Sequence, residues 1–506
     1  MSEAPENGMD QSTQKRGFFR RQFSLRNLRR ALIGLAVFIT LIALVVTEED
    51  WRGKHDWETY RQEWEAKGEK FDWQAFVPPA VQDDQNMLTS PVMKKIVSEE
   101  IRLDPYPKDT NSYNYTEGDW QKNSITDLRP WQKAYRDLQK NHYGERFPVS
   151  PQPQMPAADV SLALSLYDPV IEELREASQR PYSSIPMNYE EGFNAIQPLD
   201  AYLAALKRCS QVLQLRIIAE LADNQSSQAL ADMKLWFRLN NSIRNSPFLI
   251  SQLVRMAITY LVVQPVWEGL AKQKWSDDQL AGLESELGKL DFLADYEFSM
   301  RGERAFAIAS IENQRRTREM ISFDASSEVT NKLTFMPSAF FYQNELNFAR
   351  MHQQWLFPMA DTNSRIISPE SMRQADQAMQ AALKHYSPYK IEALMTGSGI
   401  DKAVKKFAFA QSSVDLARVA CALERYRLAH GAYPQTLDAL TPQFIAEVPH
   451  DIINGQPLHY RLRPDGQFIL YSVGWNETDD GGQIVLTKKG AVDRDQGDWV
   501  WQYPEK

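Results

Sequence analysis

Apolar and polar positions divide the chain into three textures. The first is one continuous apolar run near the start. From Ala31 to Thr47 it reads ALIGLAVFITLIALVVT, seventeen residues without a charge. With Leu28 in front, a helix over 28–47 rises roughly 30 Å, the thickness of a bilayer core. The second texture is helical and extends from about residue 50 to about 430. Beyond Pro449 the period falls to two, the signature of strands.

Within the helical part, Trp57, Tyr60 and Trp64 stand at i, i+3 and i+7. This aromatic stripe predicts a juxtamembrane helix from Asp50 to Phe76, ended by Pro78-Pro79. Asp104 to Asp127, rich in Pro, Asn, Ser and Tyr, reads as an extended linker, and FPVSPQPQMP (147–156) as a second break. Residues 158 to about 400 form a long helical region. Leu162, Leu166, Val170 and Leu174 mark one amphipathic face. Helices over 203–222 and 228–243, joined by Asn224-Gln225-Ser226-Ser227, form an αα-hairpin. Ser276-Asp277-Asp278 caps a further helix over 279–290. Leu249 to Trp267 is also apolar, but it holds Gln252, Arg255, Gln264 and Pro265. A charge at a bilayer centre costs several kcal/mol, so this stretch reads as a buried helix of a soluble domain.

After residue 405, Leu416, Val419, Leu423 and Tyr426 line one face of a helix that Gly431 terminates, and Leu437 and Leu440 mark a short second helix. Leu458–Leu462 and Gln467–Val473 read as strands joined by Arg463-Pro464-Asp465-Gly466, a hairpin turn. Segments 483–487 and 499–503 add strands. The expected fold is mainly α. It has a single N-terminal transmembrane helix, a large α-helical extracytoplasmic domain of αα-hairpins, and a small C-terminal α+β domain with an antiparallel sheet. The expected boundaries are a basic tail at 1–27, a signal anchor at 28–47, a juxtamembrane helix and linker at 48–157, a helical domain at 158–404 and the α+β domain at 405–506.

Charge orients the anchor. Lys15, Arg16, Arg20, Arg21, Arg26, Arg29 and Arg30 precede the apolar run, and Glu48, Glu49 and Asp50 come after it. The positive-inside rule then places the N-terminus in the cytoplasm and the bulk of the chain outside. The run ends Leu44-Val45-Val46-Thr47, without a small-x-small cleavage site, so it reads as uncleaved. Seven Lys/Arg against three acids give residues 1–47 a net +4, which leaves −13 on the remainder of a chain of net −9. That acidity argues against a nucleic-acid partner. With 506 residues, 43% apolar and 24% charged, the chain has material for a sizeable core. A mean hydropathy of −0.49 excludes a polytopic membrane protein. Two cysteines exclude a disulfide-dense scaffold and any four-cysteine metal site.

Within the last hundred residues a set of motifs occurs in order. The first is Ala422-Leu423-Glu424-Arg425-Tyr426, then His430-Gly431-Ala432-Tyr433-Pro434, then Leu437 and Leu440. Next come Pro449, Asp451, Asn454-Gly455-Gln456-Pro457-Leu458 and Tyr460, then Tyr471-Ser472-Val473-Gly474 and Asp479-Asp480-Gly481-Gly482. Over about 90 residues this resembles the major pseudopilins of type II secretion. The chain as a whole looks like large bacterial membrane-anchored proteins that carry such a module at the C-terminus. It departs from a pseudopilin in two ways. RRQFSLRNLRR stands where a prepilin cleavage site would precede the apolar helix, and more than 350 residues separate that helix from the module.

The resemblance implies a calcium loop after the Tyr-Ser-x-Gly strand. Asp479 and Asp480 fall in the matching loop, and Asp493 and Asp495 could close on it from the next turn. Calcium asks for six to eight oxygens.

Signatures of catalysis are sparse. There is no Walker A loop, and Thr396-Gly397-Ser398-Gly399 lacks the nucleophile-elbow spacing. No two of His55, His142, His352, His385, His430, His450 and His459 lie within four residues, which excludes a helical His-Glu-x-x-His site. Ser387-Pro388-Tyr389-Lys390 matches Ser-x-x-Lys without its Lys-Thr-Gly companion. Met351, His352, Trp355 and Phe357 read as a core stripe, and Arg301, Glu303 and Arg304 as a paired cluster or a cleft wall. Cys209 and Cys421 sit among apolar helix neighbours. The expected protein is a non-enzymatic inner-membrane protein of a bacterial envelope, in contact with other envelope proteins and linked to a type II secretion or pilus-like assembly. The alternative is an envelope hydrolase of glycan or peptide.

Overall fold

The computed structural model describes residues 25–106, 117–141, 147–189, 196–319, 333, 336–384 and 387–504. Lys15, Arg16, Arg20, Arg21, the centre of the expected linker, His142 and His385 lie outside them.

The apolar run belongs to one helix, α1 (Leu25–Glu65), of 41 residues. Its large side chains from Leu28 to Val45 stand 47–62% exposed on all sides. Its two hydroxyls turn back onto the helix: Thr40 Oγ1 donates to Ala36 O (2.8 Å) and Thr47 Oγ1 to Ala43 O (2.7 Å). By length and composition this helix can cross a membrane.

The second half of α1 is docked. Trp57 is buried with Phe71, Ile308, Leu346 and Ala349, and Tyr60 and Trp64 pack around them. The aromatic stripe is therefore a packing stripe. The helix ends at Glu65, eleven residues before the predicted Phe76. Gly68 turns the chain in the left-handed region (φ +96°), and this brings Phe71 back against Trp57 at 5.6 Å. Pro78-Pro79 has no part in that end.

The chain continues through α2 (Pro91–Val97), α3 (Arg129–Asn141), α4 (Pro156–Leu164) and α5 (Asp168–Ala177). The predicted face of Leu162, Leu166, Val170 and Leu174 is broken. A 3-10 turn at Ser165–Tyr167 separates α4 from α5, because Pro169 begins a new helix there. The αα-hairpin is α6 (Gln197–Ala222) and α7 (Ser226–Asn241). Asn224 makes its turn at φ +61°, and Gln225 precedes α7 without a side-chain cap. Next is α8 (Leu249–Ala271), whose Val262, Val263, Val266 and Trp267 are fully buried. This is the buried apolar helix expected from its polar content. Ser276 and Gln279 form a capping box at α9 (Asp277–Leu287). Then come α10 (Phe292–Thr317), α11 (Ser338–Met351), a short ribbon of β1 (Ala360–Asp361) with β2 (Ile366–Ile367), and α12 (Pro369–Lys384).

The longest helix after α1 is α13 (Ile391–His430). It packs on α8 to α12 and on the C-terminal sheet, so the boundary expected at 404/405 falls inside a helix. Gly431 ends it with φ +82°. The sheet pairs β3 (His459–Leu462), β4 (Phe468–Ser472) and β7 (Trp499–Gln502) antiparallel, with β4 central. Both faces of β4 are buried. Phe468 and Leu470 join the main core, while Ile469 and Tyr471 are covered by Ile484 from the hairpin of β5 (Ile484–Leu486) and β6 (Val492–Gly497). Trp267 of α8 donates to Gln502 O at 2.9 Å, and Phe409 of α13 meets Trp499 edge-on at 5.2 Å. One continuous core therefore runs from Trp73 to Tyr503.

Candidate functional site

A cavity open to solvent lies between α11, α12 and the start of α13. It measures about 300 Å³ and is lined by Asn347, Arg350, Met351, Gln354, Trp355, Ala382, Lys390 and Ala393. Local chain features build it. α11 passes into a five-residue π turn, His352–Leu356, and then into a 3-10 turn that contains Pro358. A π turn inserts one residue and re-aims the side chains after it; such turns recur at functional sites. Here Gln353 points inward to Arg304 (3.0 Å), while Gln354 and Trp355 face the groove.

The opposite wall is held by asparagines. Asn344 Nδ2 donates to Pro388 O (3.1 Å) and Asn347 Nδ2 to Tyr389 O (2.9 Å), which places Lys390 on the rim. Arg350 lies over the Tyr60 ring at 5.7 Å. Among the described residues neither Arg350 nor Lys390 has an ion-pair partner. Among the described residues the lining thus presents two cations without an ion-pair partner, the Gln354 amide and an indole, and no carboxylate.

His352 faces the other way. It is fully buried between Phe348 and Phe357, and its Nδ1 is 3.0 Å from Phe348 O. Burial pushes its pKa down to about 3, so the ring is neutral. The expected core stripe is present: Met351 and His352 are buried, Trp355 and Phe357 pack half-buried against the main core, and Met351 and Trp355 also edge the groove.

Arg301 and Arg304 both grip Glu69, so their cluster is a paired buried one rather than a cleft wall. Glu303 accepts the Leu249 N–H at 2.7 Å, capping α8 from a neighbouring helix. Burial pushes Glu303 up to about 7. A raised carboxyl means that the folded state binds the proton more tightly. Its stabilisation is complete below the unfolded value of about 4.3 and is lost as pH rises through 7. Between pH 5 and 8 the protein is expected to lose about 1–3 kcal/mol from this group. Glu303→Gln should flatten that slope in denaturation series at several pH values.

The four aspartates of the expected calcium loop separate. Asp479 and Asp480 lie in the loop after β4, while Asp493 and Asp495 lie in β6, a strand that the sequence pattern missed. Asp479 Oδ1 accepts from Tyr471 Oη and Gly481 N, both at 2.9 Å. Asp480 Oδ2 accepts from Asn476 Nδ2 at 2.9 Å. Asp495 pairs with Lys405. Among the described residues no group of three or more His, Cys, Asp or Glu is arranged to hold a metal ion. The loop is organised by Asp498, which sequence reasoning did not single out. Its carboxylate accepts the N–H groups of Asp480 (3.3 Å), Gly482 (2.6 Å) and Gln483 (3.2 Å). Its oxygens thus serve donors rather than stand open to a cation. Asp498→Ala is expected to cost about 2–4 kcal/mol, with the same melting curve in calcium and in chelator. A calcium-dependent rise in melting temperature, abolished by Asp479→Asn with Asp480→Asn, would contradict this.

A second aspartate, Asp451, joins its own segment to the Tyr471-Ser472-Val473-Gly474 strand end. Asp451 is buried, and its carboxylate accepts from Ile453 N, Val473 N and Ser472 Oγ, each at 2.9 Å. Tyr460 Oη donates to Pro434 O (2.7 Å) and Tyr433 Oη to Glu424 (2.8 Å). Cys209 and Cys421 are free and buried. Burial pushes the Cys209 thiol up to about 12 and raises that of Cys421 as well, so both are unreactive in the folded protein.

No protein-family profile, curated protein or solved structure matches the chain.

Proposed function

We propose that the chain is a single-pass, membrane-anchored envelope protein whose folded part works by contact with other proteins. The observation that carries this reading is α1 itself. Eleven large apolar side chains between Leu28 and Val45 are exposed, and the same helix continues into a docked segment. Leaving those side chains in water would cost on the order of 10–20 kcal/mol, as much as the whole stability of a typical domain. A bilayer removes that cost. The basic residues before the run favour a cytoplasmic N-terminus, an extracytoplasmic bulk and, in a bacterium, the inner membrane.

Beyond Thr47 the helix continues to Glu65, about 27 Å, with no break. Gly53 allows α11 to approach closely: a Cβ there would stand 3.3 Å from Ala339 Cα. Asp50 Oδ1 accepts the Ala339 N–H at 2.6 Å and caps α11. The anchor is thus a rigid strut that holds the groove at a fixed height and orientation.

The contact reading is supported by what the described lining of the groove offers, two cations beside an indole. The carboxylates raised furthest, Glu220, Glu303 and Asp415, lie elsewhere, at separate places in the helical core. The link to a secretion or pilus-like assembly rests on the motif resemblance alone.

The test is photo-crosslinking from exposed positions of the full-length protein in its own membranes, with mass spectrometry of the adducts. Discrete adducts with envelope proteins are expected. A protein that forms no adduct, yet cleaves cell-wall glycan or peptide when purified, would overturn the reading.

A further inference from the structure

We infer that the groove between α11, α12 and the start of α13 is a docking site for an acidic peptide segment of a partner protein, one that carries an apolar or aromatic residue beside its carboxylates. The inference rests on the contact function proposed above. Three features of the groove point to this occupant.

The first is charge. The extramembrane part carries −13, yet Arg350 and Lys390 stand on the groove without an ion-pair partner among the described residues. Many other surface cations of this protein have found a carboxylate, as Arg61 has Glu65 at 2.7 Å and Lys67 has Glu63 at 2.7 Å. Two cations left free on one cavity of an acidic protein favour an anionic ligand, and a guanidinium accepts a carboxylate with two parallel hydrogen bonds.

The second is the floor. Met351, Trp355, Ala382 and Ala393 give an apolar and aromatic surface, and the Gln354 amide lies beside it. Side-chain amides pair with a peptide backbone, and an indole beside a cation suits an apolar residue flanked by acids.

The third is shape and height. At about 300 Å³ and half-open to solvent, the groove leaves part of an occupant outside it, and a segment of a larger protein gains contact there as well. Along α11, Ala339 lies beside Asp50, Gln343 Nε2 donates to Asp56 (3.4 Å), and Arg350 sits over Tyr60. Arg350 therefore stands about 13 residues of helix, or roughly 20 Å, beyond Thr47. That is too far for the headgroup of a lipid seated in the same bilayer. A protein segment reaches this height freely.

The test uses the full-length protein in detergent and three labelled hexapeptides, with centres Glu-Phe-Glu, Gln-Phe-Gln and Glu-Ala-Glu, read by fluorescence anisotropy at low and at physiological salt. The Glu-Phe-Glu peptide should bind at least tenfold tighter than either of the others and should weaken with salt. Arg350→Gln with Lys390→Gln should reduce its binding at least tenfold, and Trp355→Ala should remove the preference for Phe over Ala. Both sets alter exposed or half-buried side chains, and unchanged melting curves verify the fold. Equal binding of the Glu and Gln peptides, or binding unaffected by the double substitution, would overturn the inference. So would equal displacement by inorganic phosphate and by the unlabelled Glu-Phe-Glu peptide, since a simple anion site would then suffice. Displacement by a second, unlabelled copy of the protein with no effect of the double substitution would overturn it too. Because the crosslinking test above samples the whole surface, envelope adducts that persist in the double variant would refute the groove while leaving the contact function standing.

Discussion

Glu69→Ala is expected to destabilise the protein by about 3–5 kcal/mol, among the largest effects of any single surface-to-core substitution in it. Glu69 lies in the turn after α1, and its two oxygens hold two arginines of α10. Arg304 donates to Oε2 at 2.6 Å and Arg301 to Oε1 at 3.1 Å. Arg304 is fully buried and packs over the Phe71 ring at 4.3 Å; its other hydrogen bonds go to Lys70 O (2.9 Å) and Gln353. Removing the carboxylate leaves a guanidinium in the core without a counter-charge. Glu69→Gln keeps an acceptor and should cost less, about 1–3 kcal/mol. Burial alone would raise the Glu69 carboxyl, but Arg301 and Arg304 outweigh it and hold it below the ordinary range. A lowered carboxyl contributes stability that is complete above the unfolded value of about 4.3 and is lost as pH falls through the folded value. Chemical denaturation of wild type and variant at neutral pH and in acid measures both effects. The difference between them should shrink as the medium is acidified below about pH 4. An unchanged midpoint at pH 7 would show that the strut is not clasped to the domain through this residue.

Asp295→Ala should cost a similar amount, about 3–5 kcal/mol, for the same reason at a different place. Arg255 of α8 is fully buried and pairs with Asp295 of α10. Its Nε donates to Asn240 Oδ1 (3.1 Å) and its Nη2 to Asn241 Oδ1 (3.3 Å), and it lies over Phe292 at 5.2 Å. Burial pushes both partners toward neutrality, lowering the arginine and raising the aspartate. The pair therefore specifies how α8 meets α7 and α10 more than it stabilises them. The double substitution Arg255→Met with Asp295→Leu should regain most of the loss, because no charge is then left buried alone. Denaturant midpoints for the two variants decide this. A single variant within about 1 kcal/mol of wild type would contradict it.

These pairs mark where the sequence stops being readable. The local devices were legible. The seventeen-residue apolar run, the Ser276 cap, Gly431 at the end of α13 and the Arg463–Gly466 turn each act within a few residues, and the chain itself displays them. The polar content of α8 likewise marked it as a core helix. Missed features depend on residues far apart. Glu69 and Arg304 are 235 positions apart, and Asp50 caps a helix that begins nearly 290 residues later. The early end of α1 came from Gly68, an isolated glycine with no turn partner to announce it. Strand β6 was missed because Val492-Asp493-Arg494-Asp495-Gln496-Gly497 is polar, and its pairing with β5 covers a face of β4 that no pattern in its own residues reveals. The groove had no signature at all: three separate elements line it, and the π turn that aims Gln354 and Trp355 leaves no mark in composition.

On the function proposed above, one helix crosses the membrane and continues, unbroken, into the folded domain. Labelling with a membrane-impermeant maleimide tests it most directly. Cys209 and Cys421 are buried with raised pKa values, so the native thiols give no background. Two variants each add one reporter cysteine, Ser12→Cys before the apolar run and Lys489→Cys in the exposed turn between β5 and β6. In cells with a permeable outer layer and an intact inner membrane, Lys489→Cys should label at once, Ser12→Cys only after lysis, and the protein should resist alkaline extraction. Labelling of both reporters in intact cells, or release of the protein by alkali, would contradict the account.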